Sequence, residues 1–209
     1  MGETVDRRGL LLAARDLFAQ TDEDAQIISD ALAMEQVVVA SYDVAIVAAH
    51  ELEQELSAGG VATAAAGLPV RQRHGRPSLE TALRRIVAQE REHAEVLSST
   101  LDTLGAKPPT PPEGAVALAR SRAQLGLERS LDLLDTARAI VAVAIELENV
   151  QITRYLLAVR DLSDARLIAL ALQAMGAEGQ HATALRGLLT DDAALAVPEA
   201  FERGSSSVP

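Results

Sequence analysis

Glu90-Arg91-Glu92-His93 and Glu178-Gly179-Gln180-His181 are the two stretches whose reading decides the fold of this chain. Both read Glu-x-x-His, and each falls within a long run compatible with a helix. Residues three apart in a helix are separated by about 60° around the axis and ~4.5 Å along it, so both side chains of a pair reach one point beside the helix. One copy of so short a motif on a solvated helix carries little weight. Two copies on two helices ask for partners elsewhere in the chain.

Those partners lie upstream of each copy. Glu35 is followed seven residues later by Tyr42, and Glu148 seven residues later by Tyr155. Seven residues turn a helix through about 700°, close to two full turns, so each Glu and Tyr share a face. The chain has two tyrosines, and both occupy this offset. The halves therefore repeat as Glu-x6-Tyr followed by Glu-x-x-His, which implies approximate two-fold symmetry. They differ mainly in the connection between the two motifs, and lengthening a loop costs only logarithmically in closure entropy. Apolar helical neighbours predict burial of these acids: Ala31, Leu32, Val38 and Val39 around Glu35, Ile86, Val87 and Ala94 around Glu90, Ala174, Met175 and Ala182 around Glu178. A buried carboxylate without compensation costs several kcal/mol. Burial of this set demands counter-ions.

The surrounding punctuation predicts four long helices. Thr21-Asp22-Glu23-Asp24 supplies a capping residue and first-turn acids for a helix running to about Ser57, where Gly59-Gly60 interrupts it. Ser78 caps a second helix from Leu79 to about Leu104, stopped by Gly105 and the prolines after it. A third is expected from Ser130 to Val159 and a fourth from a Ser163 cap to about Leu189. Between the second and third lies a long, weakly patterned crossover with a short helix near Val116 to Gln124. Two short connections flanking one long one suit two antiparallel hairpins joined by a crossover. The organisation reads as an N-terminal helix or extension over 1–20, a helical domain over 21–190 and a tail over 191–209.

Composition narrows the chemistry. Aromatic residues make up 2% of the chain and hydrophobic residues 48%, so the core is aliphatic and helix-favouring. Zero cysteines exclude disulfides, thiolate metal sites and iron–sulfur clusters, which leaves carboxylate and imidazole as strong metal ligands. A formal charge of −11 opposes nucleic acid and anionic membranes as partners. No membrane span is expected, because no stretch approaches about 20 apolar residues. Asp6-Arg7-Arg8-Gly9 has a faint twin-arginine look, yet the apolar run after it stops at Arg15-Asp16 without a small-residue cleavage site. A cytoplasmic location is the expectation, with export by a degenerate twin-arginine-like N-terminus as its alternative.

With helix order and motifs in place, residues 22–189 resemble the ferritin-like di-iron or di-manganese carboxylate superfamily, a four-helix bundle whose ligands are one Glu from each of two helices and Glu-x-x-His from each of the others. The resemblance implies two divalent metal ions, iron first and manganese as the alternative. It implies metal ligands at Glu35, Glu90, His93, Glu148, Glu178 and His181. Glu35 and Glu148 would be terminal carboxylates, Glu90 and Glu178 the bridging pair, and His93 and His181 terminal imidazoles. Tyr42 and Tyr155 would hydrogen-bond ligand carboxylates. Four carboxylates and two divalent cations sum to zero charge. Glu146 also has apolar neighbours, so whether it replaces or joins Glu148 stays open, although the Tyr155 offset favours Glu148. Glu92, His50 and His74 read as surface residues. The implied chemistry is oxidation of ferrous iron or reaction with oxygen or hydrogen peroxide. Manganese-dependent peroxide disproportionation and a non-enzymatic stress or structural bundle are the alternatives. A homodimer or larger homo-oligomer could assemble through the N-terminal helix or the tail.

Overall fold

A computed structural model describes the backbone of residues 7–57 and 77–190 together with Ala196, and the side chains of those from residue 20 onward. Gly59-Gly60 and His74, within residues 58–76, and the predicted tail over 191–209 lie outside the described residues, Ala196 excepted. Five helices and no strand occur among the described residues: α1 (Arg7–Ser57), α2 (Leu79–Thr103), α3 (Gly114–Leu125), α4 (Ala137–Asp161) and α5 (Ala165–Leu189). The all-helical class follows the aliphatic, proline-punctuated sequence.

The first helix differs from its sequence reading. Instead of starting at Thr21, α1 runs unbroken from Arg7 to Ser57, because no glycine or proline interrupts Ala13 to Asp24. Asp24, read as part of that start, has another task. Its buried carboxylate accepts hydrogen bonds from Ser163 N at 2.8 Å, Ser163 Oγ at 2.9 Å and Asp164 N at 3.0 Å, holding the turn between α4 and α5. Ser163 is thereby occupied, and Asp164 caps α5 in its place by accepting from Arg166 N at 2.7 Å.

The other ends follow local rules. Ser78 caps α2 by accepting from Thr81 N at 3.2 Å. Gly105, at φ 73, closes the helix, with Gly105 N bonded to Asp102 O at 3.1 Å and Ala106 N to Leu101 O at 2.9 Å. That paired return needs a left-handed residue, which glycine adopts without a Cβ clash. The α3 helix falls where the short crossover helix was expected. The α4 helix starts at Ala137 and not at Ser130, with Thr136 as its cap. Residues 127–136 are drawn into turns because Glu128 N and Arg129 N bond the Glu146 carboxylate while Arg129 O accepts from Arg122.

Packing is pairwise along the helices: α1 lies against α2 and α4, α4 against α5, α2 meets α5, and α3 rests on α1. Residues Ile140 to Asn149 of α4 are all buried, as befits a helix covered on every side and lacking a polar stripe. Ile28, Leu32, Leu83, Leu101, Ile145, Leu147 and Leu185 join the same core. Each such side chain taken from water contributes about 1.5–3 kcal/mol. By length and hydropathy alone the stretch Gln20–Ser57 of α1 falls in the range of a membrane span, as buried core helices also do. That stretch is also the one that packs on α2 and α4 and carries Glu35 and Tyr42, and more than half of its most apolar window is buried within the protein.

Candidate metal centre

The apolar stripes that build the core also carry the polar residues singled out in the repeat. Glu35, Glu90, Glu148 and Glu178 are 0% exposed, one from each of α1, α2, α4 and α5. His181 is buried among them, whereas the His93 side chain is 20% exposed. All six predicted residues converge. Ligand atoms of Glu35, Glu90, His93 and Glu178 lie within 4.8 Å of one another, and so do those of Glu90, Glu148, Glu178 and His181.

Both imidazoles turn Nδ1 towards the acids. His93 Nδ1 is 3.1 Å from Glu178 Oε1 and 3.5 Å from Glu90 Oε2. His181 Nδ1 is 2.9 Å from Glu90 Oε1, 3.0 Å from Glu178 Oε2 and 3.2 Å from Glu148 Oε2. Despite this closeness, Glu90 Oε1, Glu178 Oε1 and His93 Nδ1 are buried without a hydrogen bond of good geometry. Such atoms are rare in native interiors. This donor set of carboxylate oxygen and imidazole nitrogen, gathered within 4.8 Å, suits a divalent metal.

The tyrosines cross between the halves. Tyr42 of α1 donates to Glu148 Oε1 of α4, and Tyr155 of α4 donates to Glu35 Oε1 of α1. Each hydroxyl fixes the acid of the opposite helix, so the shared face seen in the sequence serves the partner motif. Burial, then the adjacent Glu148 charge, pushes the Tyr42 hydroxyl well above its usual pKa; burial and Glu35 do the same for Tyr155. Both remain donors.

Charge is distributed unevenly among these six residues. Burial, reinforced by Glu90 and Glu178, raises the Glu35 carboxyl well above the usual range, and burial with Glu90 raises Glu148 likewise. Burial acts upward on Glu90 too, but contacts with His181 and His93 outweigh it and hold this carboxyl below its usual range. Burial disfavours charged imidazoles, yet the surrounding carboxylates push His93 up to about 10 and His181 up to about 12.

Two glutamines here were missed in the sequence. Gln151, fully buried, donates through Nε2 to Glu35 Oε2 at 3.0 Å and Glu90 Oε2 at 2.7 Å. Its position three residues after Glu148 is the signal that could have found it. Gln89 Oε1 lies 2.5 Å from His181 Nε2, on an exposed face that periodicity does not mark. Glu146 points elsewhere: its carboxylate accepts from Glu128 N at 2.9 Å and Arg129 N at 3.2 Å and faces Arg122 at 3.8 Å. It stands in neither ligand group. His50 pairs with Glu80 on the surface and Glu92 is exposed.

A family model for the ferritin-like domain matches residues 23–191. No curated protein and no solved structure matches the chain.

Proposed function

Because the chain belongs to the ferritin-like domain family, we propose that its buried Glu/His cluster binds two divalent metal ions and oxidises ferrous iron with oxygen or hydrogen peroxide. The observation that carries this reading is the overlap of the two ligand groups, which share Glu90 and Glu178 and differ in Glu35 with His93 against Glu148 with His181. Glu90 and Glu178, common to both groups, would hold both ions, with Glu35 and His93 completing one position and Glu148 and His181 the other. In this reading α1 with α2 and α4 with α5 form two antiparallel hairpins of a four-helix bundle, and the segment containing α3 is the crossover. The pairings of α1 with α2, α4 with α5 and α1 with α4 support it.

Two ferrous ions supply two electrons, the number that reduces oxygen to hydrogen peroxide with uptake of two protons. The protein's part is placement. Tyr42 and Tyr155 orient Glu148 and Glu35, Gln89 orients His181, and the four acids are fully buried within the aliphatic core. The chain contains no cysteine, hence no thiolate-bound electron-transfer iron of its own, and electrons come from the ferrous substrate or another protein.

Anaerobic loading with ferrous iron, desalting and elemental analysis test the reading. Two metal ions per chain are expected, followed by oxygen uptake and ferric absorbance on admitting air. The isosteric Glu178→Gln, which removes a shared charge, is expected to bind fewer than two. A wild-type chain that takes up no metal overturns the proposal; metal uptake without ferrous oxidation retains the centre and removes the reaction.

A further inference from the structure

Resting on the two-metal reading above, we propose that the two positions are unequal by construction: the Glu148/His181 position fills first and tightly, and the Glu35/His93 position binds weakly and exchanges through a cavity beside His93.

The two-fold repeat makes the differences visible as substitutions between equivalent places. Three residues after Glu148 stands Gln151, while three residues after Glu35 stands the buried Val38. The Gln151 amide donates to Glu35 Oε2, an acid of the His93 group alone, and to Glu90 Oε2, the oxygen of that shared acid that lies 3.5 Å from His93 while Oε1 lies 2.9 Å from His181. Glu35 consequently accepts a hydrogen bond on each oxygen, from Tyr155 on Oε1 and from Gln151 on Oε2. A cation arriving there competes with the amide for lone pairs and meets the positive end of its N–H dipole. Glu148 carries the Tyr42 hydrogen bond on Oε1, and its Oε2 faces His181 Nδ1, the direction from which a shared cation would be held. No amide intervenes.

The imidazoles differ in the same sense. Gln89, just before Glu90, accepts from His181 Nε2 and keeps the ring turned so that Nδ1 points into the cluster. A held tautomer and ring orientation strengthen a ligating histidine. The equivalent place before Glu178 is Ala177, which has no polar side chain to offer His93. His181 is 7% exposed against 20% for His93. A cavity of about 290 Å³ opens at His93 and Tyr155, walled by Val96, Leu97, Leu170 and Ala174. One half of the centre is anchored and closed; the other is contested and open.

Manganous ion added anaerobically to the metal-free protein, with free ion followed by electron paramagnetic resonance, reads both affinities. Two steps are expected, the first at least about tenfold tighter, the scale on which outer partners change metal affinity. Gln89→Ala, a change on an exposed face, should weaken the first step by about 10–100-fold. Gln151→Leu should tighten the second by about tenfold. Val96→Trp at the cavity mouth should slow release from the second step without moving its midpoint. Two equal steps, or a gap that neither glutamine variant narrows, overturn this inference and leave the two-metal reading standing. No binding at all overturns both.

Discussion

At the scale of single residues, the crossed tyrosines are the most exposed part of the reading to experiment. Tyr155 is buried and its hydroxyl serves Glu35. Tyr155→Phe keeps the ring and leaves a buried acceptor short of a donor, which costs about 1–3 kcal/mol. Urea unfolding of the metal-free protein is expected to show that loss, with Tyr42→Phe giving a similar one through Glu148; an unchanged midpoint in both would mean that the hydroxyls do not hold these acids in solution. The six acids and imidazoles of the cluster were legible in the sequence because helical periodicity and a repeated spacing both mark them. Gln151 and Gln89 were not, since the partner of a glutamine is set by a neighbouring helix; the offset of Gln151 from Glu148 is the one mark either carried. The Glu146 ambiguity had the same origin. Both Glu146 and Glu148 lie on a helix buried all round, where apolar neighbours no longer tell one face from another.

At the scale of elements, the segment from α3 to α4 shows how one buried acid can reset a helix start. Arg122 of α3 donates to Ser41 Oγ of α1 at 2.9 Å and to Arg129 O at 2.8 Å, and it faces Glu146 of α4 at 3.8 Å. This latch holds residues 127–136 in turns and joins α3 to both α1 and α4. Helix propensity alone carries Ser130 onward into α4; the long-range hydrogen bonds override it, which is why the boundary was misread. The Asp24 contact with Ser163 and Asp164 hides in the same way, spanning the length of the chain. Arg122→Met, which keeps the packing volume, is expected to lower stability by roughly 1–3 kcal/mol through lost buried hydrogen bonds. It should leave metal stoichiometry at its wild-type value, because Glu146 and Arg122 lie outside both ligand groups. Denaturant unfolding paired with elemental analysis reads both. A fall in stoichiometry without a fall in stability would return Glu146 to the metal.

At the scale of the whole molecule, a formal charge of −11 surrounds a core that itself gathers carboxylates, so the metal-free fold depends on protons. Glu35 and Glu148 are raised above the usual 4.5, first by burial and then by neighbouring acids. His93 and His181 are held at about 10 and about 12, above the usual 6.5, where carboxylate contacts exceed the opposing effect of burial. A group with a raised folded pKa contributes stability that is complete below its unfolded value and is lost as pH climbs through its folded value. Glu90 has the opposite sign, contributing above 4.5 and losing that contribution only in strong acid. From roughly pH 7 to pH 9 the two histidines set the sign, since the unfolded chain has released their protons and the folded protein holds them: stability falls as pH rises, and Glu35 and Glu148, raised in the same direction, act with the same sign. Each extra proton retained on folding contributes a slope of about 1.4 kcal/mol per pH unit. In the proposed two-metal centre ligation would require the same four groups without their protons, so saturating metal would remove the slope and its uptake would release acid. Thermal unfolding across that range, with chelator and then with saturating manganous ion, should give a melting temperature that drops steadily in the first series and stays nearly level in the second. Parallel lines in the two series would mean that protons and metal do not compete for these side chains.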